Sequence, residues 1–305
     1  MHPVRLIAFP GAPNLPIFVA VENGLFAAEG IAVDLTTTPS SSFQIGKLID
    51  GEFDVAGSAF DNIVAYTEGQ GAVALSREPD LFAFMGATRI ELAFVVAPEI
   101  ESFEQLRGRT IALDALSTGF AFILYRMLEN AGLGLDDVTL VPVGATPERW
   151  ESVRSGTHAG TLTIEPFTSI AESQGYRVLS RSGDIFAHYQ GGVFATTRRW
   201  ANANGEALTG FIRGYLAGLA WTLDPANRKA TGVVLLRNMP AIKPPAVERV
   251  LTNLLDERTG LTPGARVDRQ GVETVLDLRS TYGGGTRLDE PDKYFDLGWY
   301  RQATS

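Results

Sequence analysis

The strongest constraint on the fold is the alternation of strand and helix patterns in the first sixty residues. A β-like run, Val4–Ala8, leads into the loop Phe9-Pro10-Gly11-Ala12-Pro13-Asn14-Leu15-Pro16. One glycine and three prolines make that segment a loop, because proline removes backbone donors and glycine relaxes φ. A helical run, Ile17–Phe26, follows, then a strand at Ala32–Leu35. The serine cluster Ser40-Ser41-Ser42 is positioned to cap the next helix, which stops at Gly51. Glu52–Ala56 reads as a third strand. Such an order predicts an α/β sheet, whose ligands sit in loops at the carboxyl ends of its strands.

Two segments of this run resemble the ABC-transporter solute-binding proteins of the nitrate/sulfonate/taurine and thiamine-pyrimidine-precursor family. They are Glu22-Asn23-Gly24-Leu25-Phe26-Ala27-Ala28-Glu29-Gly30-Ile31 and Leu48-Ile49-Asp50-Gly51-Glu52-Phe53-Asp54-Val55-Ala56. Two later segments are also similar to the family: Ser102–Leu113, a short helix turning on Gly108 into a strand, and the small-residue strand that ends in Ile164-Glu165-Pro166-Phe167. The resemblance implies a two-lobed periplasmic-binding-protein-like fold with a mixed sheet flanked by helices in each lobe and two hinge crossings. It divides the chain into a first lobe of residues 1–88 and 196–305 and a second of 89–195, with the ligand cleft between them. The helical segments from Arg198 onward would pack back on the first lobe. Val73–Leu75 and Leu81–Met85 are further strand candidates.

The candidate ligand-binding residues lie at strand ends and helix starts. In the first lobe they are Phe9, Gly11, Asn14, Ser40, Ser41, Ser58, Phe60 and Asp61. Thr88 and Arg89 mark the first crossing. The second lobe contributes Ser117, Thr118 and Gly119 ahead of a long helix, and Glu165 and Phe167 at the Glu-Pro turn. His188 and Tyr189 lie in the aromatic, glycine-flanked return crossing. Free backbone donors at helix N-termini suit an anionic head, whereas Asp61 and Glu165 suit a cationic or N–H-bearing ring. The plainer role for Ser58, Asp61, Ser117 and Thr118 is helix capping, and for Glu165 it is stabilisation by a helix dipole. Apolar walls with a few orienting polar groups suit a small-molecule cleft.

Composition excludes several other classes. The 305 residues carry a formal net charge of −9, opposite to the basic footprint of a nucleic-acid binder. There is no cysteine, hence no disulfide, thiolate nucleophile or cysteine metal site. The three histidines, His2, His158 and His188, show no metal-ligand spacing. There is no Gly-x-Ser-x-Gly elbow and no phosphate-binding loop, and Gly283–Gly285 does not follow a strand. No catalytic residue, metal or cofactor is assigned. The family's pyrimidine-synthase branch uses a cysteine-rich motif and its desulfinase-like members a cysteine nucleophile, and neither can operate here.

The expected function is therefore binding of a small organic solute (aromatic, heterocyclic, sulfonate or carboxylate) by hinge closure, as the substrate-binding component of an ABC importer. The resemblance implies a permease partner; a monomer without nucleic-acid binding or membrane insertion is expected. The alternative is a cytosolic decarboxylase or lyase on the same fold, with His188 or Glu165 as acid or base. No stretch approaches the ~20 apolar residues of a membrane span. Location is expected to be periplasmic or extracytoplasmic if a signal peptide has been removed, and cytoplasmic otherwise.

Overall fold

The computed structural model describes residues 1–305. Ten strands run in chain order: β1 (His2–Ala8), β2 (Ile31–Thr37), β3 (Val55–Ala59), β4 (Leu81–Thr88), β5 (Ala93–Val96), β6 (Thr110–Leu113), β7 (Thr139–Pro142), β8 (Gly160–Thr163), β9 (Arg177–Arg181) and β10 (Gly192–Thr197). They form two five-stranded sheets, ordered β2-β1-β3-β10-β4 and β7-β6-β8-β5-β9. In each sheet four strands run in one direction and one against them, since β10 opposes both β3 and β4 while β5 opposes both β8 and β9. Both sheets are thus mixed and flanked by helices.

The chain passes between the lobes twice, through residues 89–92 and 186–191. These crossings lie side by side in close contact. A Cβ at Gly191 would stand 2.1 Å from Ile90 Cγ2 and 2.3 Å from the Arg89 carbonyl oxygen, so only glycine fits there. The pairing of β10 with β3 and β4 corrects the expected boundary. Residues 192–195 belong to the first sheet, because β10 starts directly after the glycine that lets the crossing pass. Val73–Leu75 forms no strand and Val73 is exposed, since three apolar residues among turns find no sheet edge to join.

The apolar core has two main parts. One lies within the first lobe, where the long helix Gly205–Leu223 packs its Phe211, Ile212 and Tyr215 against Phe26, Phe84 and Phe194. This places the helical C-terminal half on the first lobe. The other part runs from Ile7 and Phe60 of the first lobe to Phe94 and Phe122 of the second without a break. The helix Arg269–Tyr282 contributes Val272, Val275, Leu276 and Leu278 to it. On that side the lobes share one core, so the cleft is walled off there and a ligand space remains only where polar strand ends face one another.

Candidate functional site

A cavity of about 80 Å³ lies between the lobes at the carboxyl ends of the central strands. From the first lobe, Phe9, Asn14, Ser58, Asn62, Thr88, Phe194 and Tyr215 line it; from the second, Asp114, Thr118, Gly119, Phe120, Thr146, Arg149 and Ile164. Asp114 and Arg149 are its only charged wall residues.

Local sequence explains the wall. The prolines and glycine after β1 carry Phe9 and Asn14 to the cleft, where Asn14 Nδ2 donates to the Phe9 carbonyl at 2.8 Å. The small residues of β3 admit the cavity alongside Ser58, whose Oγ accepts from Asn62 Nδ2 at 3.1 Å. Thr118 caps the helix Gly119–Asn130 by accepting from Ala121 N–H. Arg149 is buried in the helix Thr146–Arg154. It donates from Nε to Thr161 Oγ1 at 3.1 Å, from Nη1 to the Gly144 carbonyl at 2.7 Å, and from Nη2 to Thr146 Oγ1 and the Leu162 carbonyl at 3.1 Å each. None of these acceptors is a carboxylate. Burial pulls its pKa down to about 10, so the guanidinium stays protonated at neutral pH. Tyr215 Oη is buried without a hydrogen-bond partner, and burial pushes the phenol pKa far up.

The lobes are closed over the cavity by specific contacts. Ala12 N–H donates to the Glu165 carbonyl at 2.9 Å, and Ala145 N–H to the Pro39 carbonyl at 2.9 Å. Two carboxylates reach across in opposite directions. Asp114 of the second lobe accepts from Ser41 N–H, at the start of the helix Ser41–Asp50, at 3.2 and 3.4 Å. Asp61 of the first lobe accepts from Gly119 N–H, at the start of the second lobe's long helix, at 2.6 Å.

Of the residues singled out from sequence, Phe9, Asn14, Ser58, Thr88, Thr118 and Gly119 come together on the cavity wall. The others lie elsewhere, for definite reasons. Gly11 lies in the first-lobe loop after β1 and faces the second lobe, where a Cβ would meet Ile164 Cδ1 at 2.9 Å. Ser40 is a helix cap, accepting from Phe43 N–H at 3.2 Å, and Ser41 is buried with its N–H on Asp114. Phe60 is core, stacked on Phe295 at 4.7 Å. Asp61 is held in a buried pair with Arg279, which also takes the Ser117 carbonyl at 2.8 Å. Arg89 and His188 both turn to Asp268, at 3.6 and 2.9 Å. Phe167 packs beside the Trp150 cluster, and Tyr189 is buried near Asp61 and Arg279. Glu165 Oε1 accepts from Asn253 Nδ2 at 2.7 Å and Ser169 Oγ at 3.0 Å. Its Oε2 has no partner, and it faces a smaller space that shares Pro13, Thr88, Ile90 and Ile164 with the main cavity.

Asn62, Thr146, Arg149 and Tyr215 are wall residues outside the strand-end pattern, and Asp114 is a further wall residue within it. Asp114 carried the same signal as Asp61, an acid after a strand and ahead of a helix. Arg149 and Tyr215 lie inside helices, where only the tertiary packing selects the face that meets the cleft.

Two mixed sheets, two adjacent crossings and a cavity between opposed strand ends define a two-lobed periplasmic-binding-protein-like fold. The chain belongs to the NMT1-like family, whose model matches residues 2–236. It is similar to the formylaminopyrimidine-binding protein of Halalkalibacterium halodurans, with 25% identity over 309 aligned positions covering 94% of this chain and 86% of that protein. Among solved structures it shares its fold with the periplasmic nitrate-binding protein of Synechocystis (TM-score 0.84, 14% identity, 100% of this chain and 88% of that one). The alkanesulfonate-binding protein of Xanthomonas axonopodis pv. citri, bound to MOPS, gives a TM-score of 0.75 at 17% identity, covering 95% and 96% of the two chains.

Proposed function

We propose that the protein is the solute-binding component of an ABC importer, taking a small organic solute into the interlobe cavity and presenting the closed form to a membrane permease. The carrying observation is that both lobes wall one cavity and that closure is made by hydrogen bonds between them, so a solute touching both walls would favour the closed state. The names of the relatives, a formylaminopyrimidine-binding protein and periplasmic nitrate- and alkanesulfonate-binding proteins, support the same role and an extracytoplasmic location. No helix is long and apolar enough to cross a membrane. His188, one acid or base of the alternative lyase or decarboxylase reading, turns to Asp268 away from the cavity, and Glu165, the other, faces the adjoining smaller space.

Native mass spectrometry of the purified protein tests this reading. Any bound molecule is released, identified, added back and followed over time. A one-to-one adduct that rebinds and is recovered unchanged is the expected result. Consumption of the molecule with turnover would overturn it.

A further inference from the structure

We propose that closing the lobes builds a proton site at Glu165, so that closure takes up one proton and is favoured as the pH falls. The inference rests on the reading of the two lobes as opening and closing, and not on which solute lies between them.

The carboxyl and its cover come from opposite lobes. Glu165 follows β8 of the second lobe, and Ser169 stands one turn further on, in the helix Phe167–Ser173. Asn253 and Leu254 belong to the helix Val247–Leu254, whose Val250, Leu251 and Leu254 are part of the first-lobe core. Asn253 Nδ2 donates to Glu165 Oε1 at 2.7 Å, and Ser169 Oγ donates to the same oxygen at 3.0 Å. Oε2 is shut off from solvent and has no partner. Glu165 borders a space of about 20 Å³, lined from the first lobe by Pro13, Thr88, Asn253, Leu254 and Gly260. That space has room for one water and not for a cation with its hydration shell.

No counter-ion is left for this carboxyl. Arg181 is shared between Glu91 and Glu172, at 2.8 and 3.1 Å, and Arg249 of the first lobe is bound to Glu172 at 2.5 Å. Arg258 gives Nη1 to the Gly183 carbonyl at 3.0 Å. Burial is the main reason the Glu165 pKa is raised, and the like charge of Glu172 adds to it against the bonds from Asn253 and Ser169. A proton on Oε2 removes the buried charge, while Oε1 keeps both of its hydrogen bonds.

Opening withdraws Pro13, Asn253 and Leu254 with the first lobe and admits water to the carboxyl, so its pKa returns toward the ordinary glutamate value. The closed form therefore holds the proton more tightly than the open form does. The advantage this gives to closure is complete below the ordinary glutamate pKa and is lost as pH rises through the raised closed-state value. Between those two values, one linked proton changes the ratio of closed to open protein by up to about tenfold per pH unit.

Energy transfer between two dyes on the ligand-free protein tests the site. The chain has no cysteine, so Thr36→Cys and Thr139→Cys supply the attachment points. Both residues are exposed, and they lie on β2 and β7, edge strands of the two sheets. The interlobe distance is followed from about pH 4 to about pH 8 in this labelled protein and in its Glu165→Gln variant, which is neutral at that position throughout and keeps an oxygen for Asn253 and Ser169. Other titrating groups, His188 beside Asp268 among them, are common to both proteins, so the difference between the two curves reads Glu165 alone. The protein with Glu165 is expected to open as pH rises, its closed-to-open ratio falling by up to about tenfold per unit. The Glu165→Gln variant is expected to stay closed over the same range. Superimposable curves, or closing of the Glu165 protein as pH rises, overturn the proton site and leave the hinge motion standing. A distance fixed at every pH in both proteins overturns the site and the hinge motion with it.

Discussion

Arg279 donates from Nε to Asp61 Oδ1 at 2.7 Å and from Nη2 to Asp61 Oδ2 at 2.6 Å, and both side chains are shut off from solvent at the seam between the lobes. The same carboxylate holds Gly119 N–H of the second lobe, while the guanidinium lies 4.8 Å from the centre of the Phe122 ring. This network ties the helices starting at Phe60, Gly119 and Arg269 together. Breaking one side of a buried pair leaves an uncompensated charge. Arg279→Met is therefore expected to cost about 3–5 kcal/mol in urea unfolding. Asp61→Asn added to Arg279→Met should recover part of that loss, because the stranded charge is then gone.

Gly119 has no room for a side chain. A Cβ there would stand 2.6 Å from Asp61 Cβ and 3.1 Å from Tyr189 Oη. Gly119→Ala is expected to push the lobes apart at this seam, with a stability loss of about 1–3 kcal/mol. Small-angle scattering should show a larger radius of gyration than wild type; an unchanged radius would mean the seam yields without opening.

Glu165 is a buried carboxyl with one unpartnered oxygen, and burial raises its pKa above the ordinary glutamate value. The folded chain thus holds this proton more tightly than the unfolded chain does. The stability this adds is fully present below the ordinary glutamate pKa and is lost as pH rises through the raised folded value. Glu165→Gln keeps an oxygen for Ser169 and Asn253 and removes the charge. It should raise the melting temperature at about pH 7.5 and leave it nearly unchanged near pH 4. Equal shifts at both pH values would sink the argument.

Tyr215 Oη makes no hydrogen bond although it is buried. Tyr215→Phe is expected to leave the ligand-free protein as stable as wild type, or more stable by up to about 1 kcal/mol, because a desolvated hydroxyl without a partner returns nothing. A thermal melt decides this, and a clear loss of stability would show that the hydroxyl is satisfied after all.

The fold was legible because its signals are local. Gly51 in a left-handed conformation ends the helix begun at Ser41, and Ser40 and Thr118 cap where their position before a helical run says they should. The wall at Phe9, Asn14, Ser58, Thr88, Thr118 and Gly119 follows from the same rule, that loops after strands meet at the cleft. The rule does not say which way a side chain turns. Thr88 lines the cavity, yet its hydroxyl donates to the Gly260 carbonyl at 2.8 Å, a partner far along the chain.

Asp61 and Asp114 mark the limit most clearly. In sequence each is an acid between a strand and a helix, with nothing nearby to tell them apart. Asp61 is withdrawn from the cavity by Arg279, 218 residues away, while Asp114 stays in the wall with only a weak backbone bond. Arg149 and Tyr215 face the cleft because of what packs behind their helices. The amino-acid order settled the succession of strands and helices with their caps and turns, because those depend on neighbours a few residues apart, and the two-lobed class followed from the family resemblance of four segments. Only the tertiary structure decided which charges pair with each other and which remain for a ligand, because electrostatic partnership depends on distance in space and not along the chain.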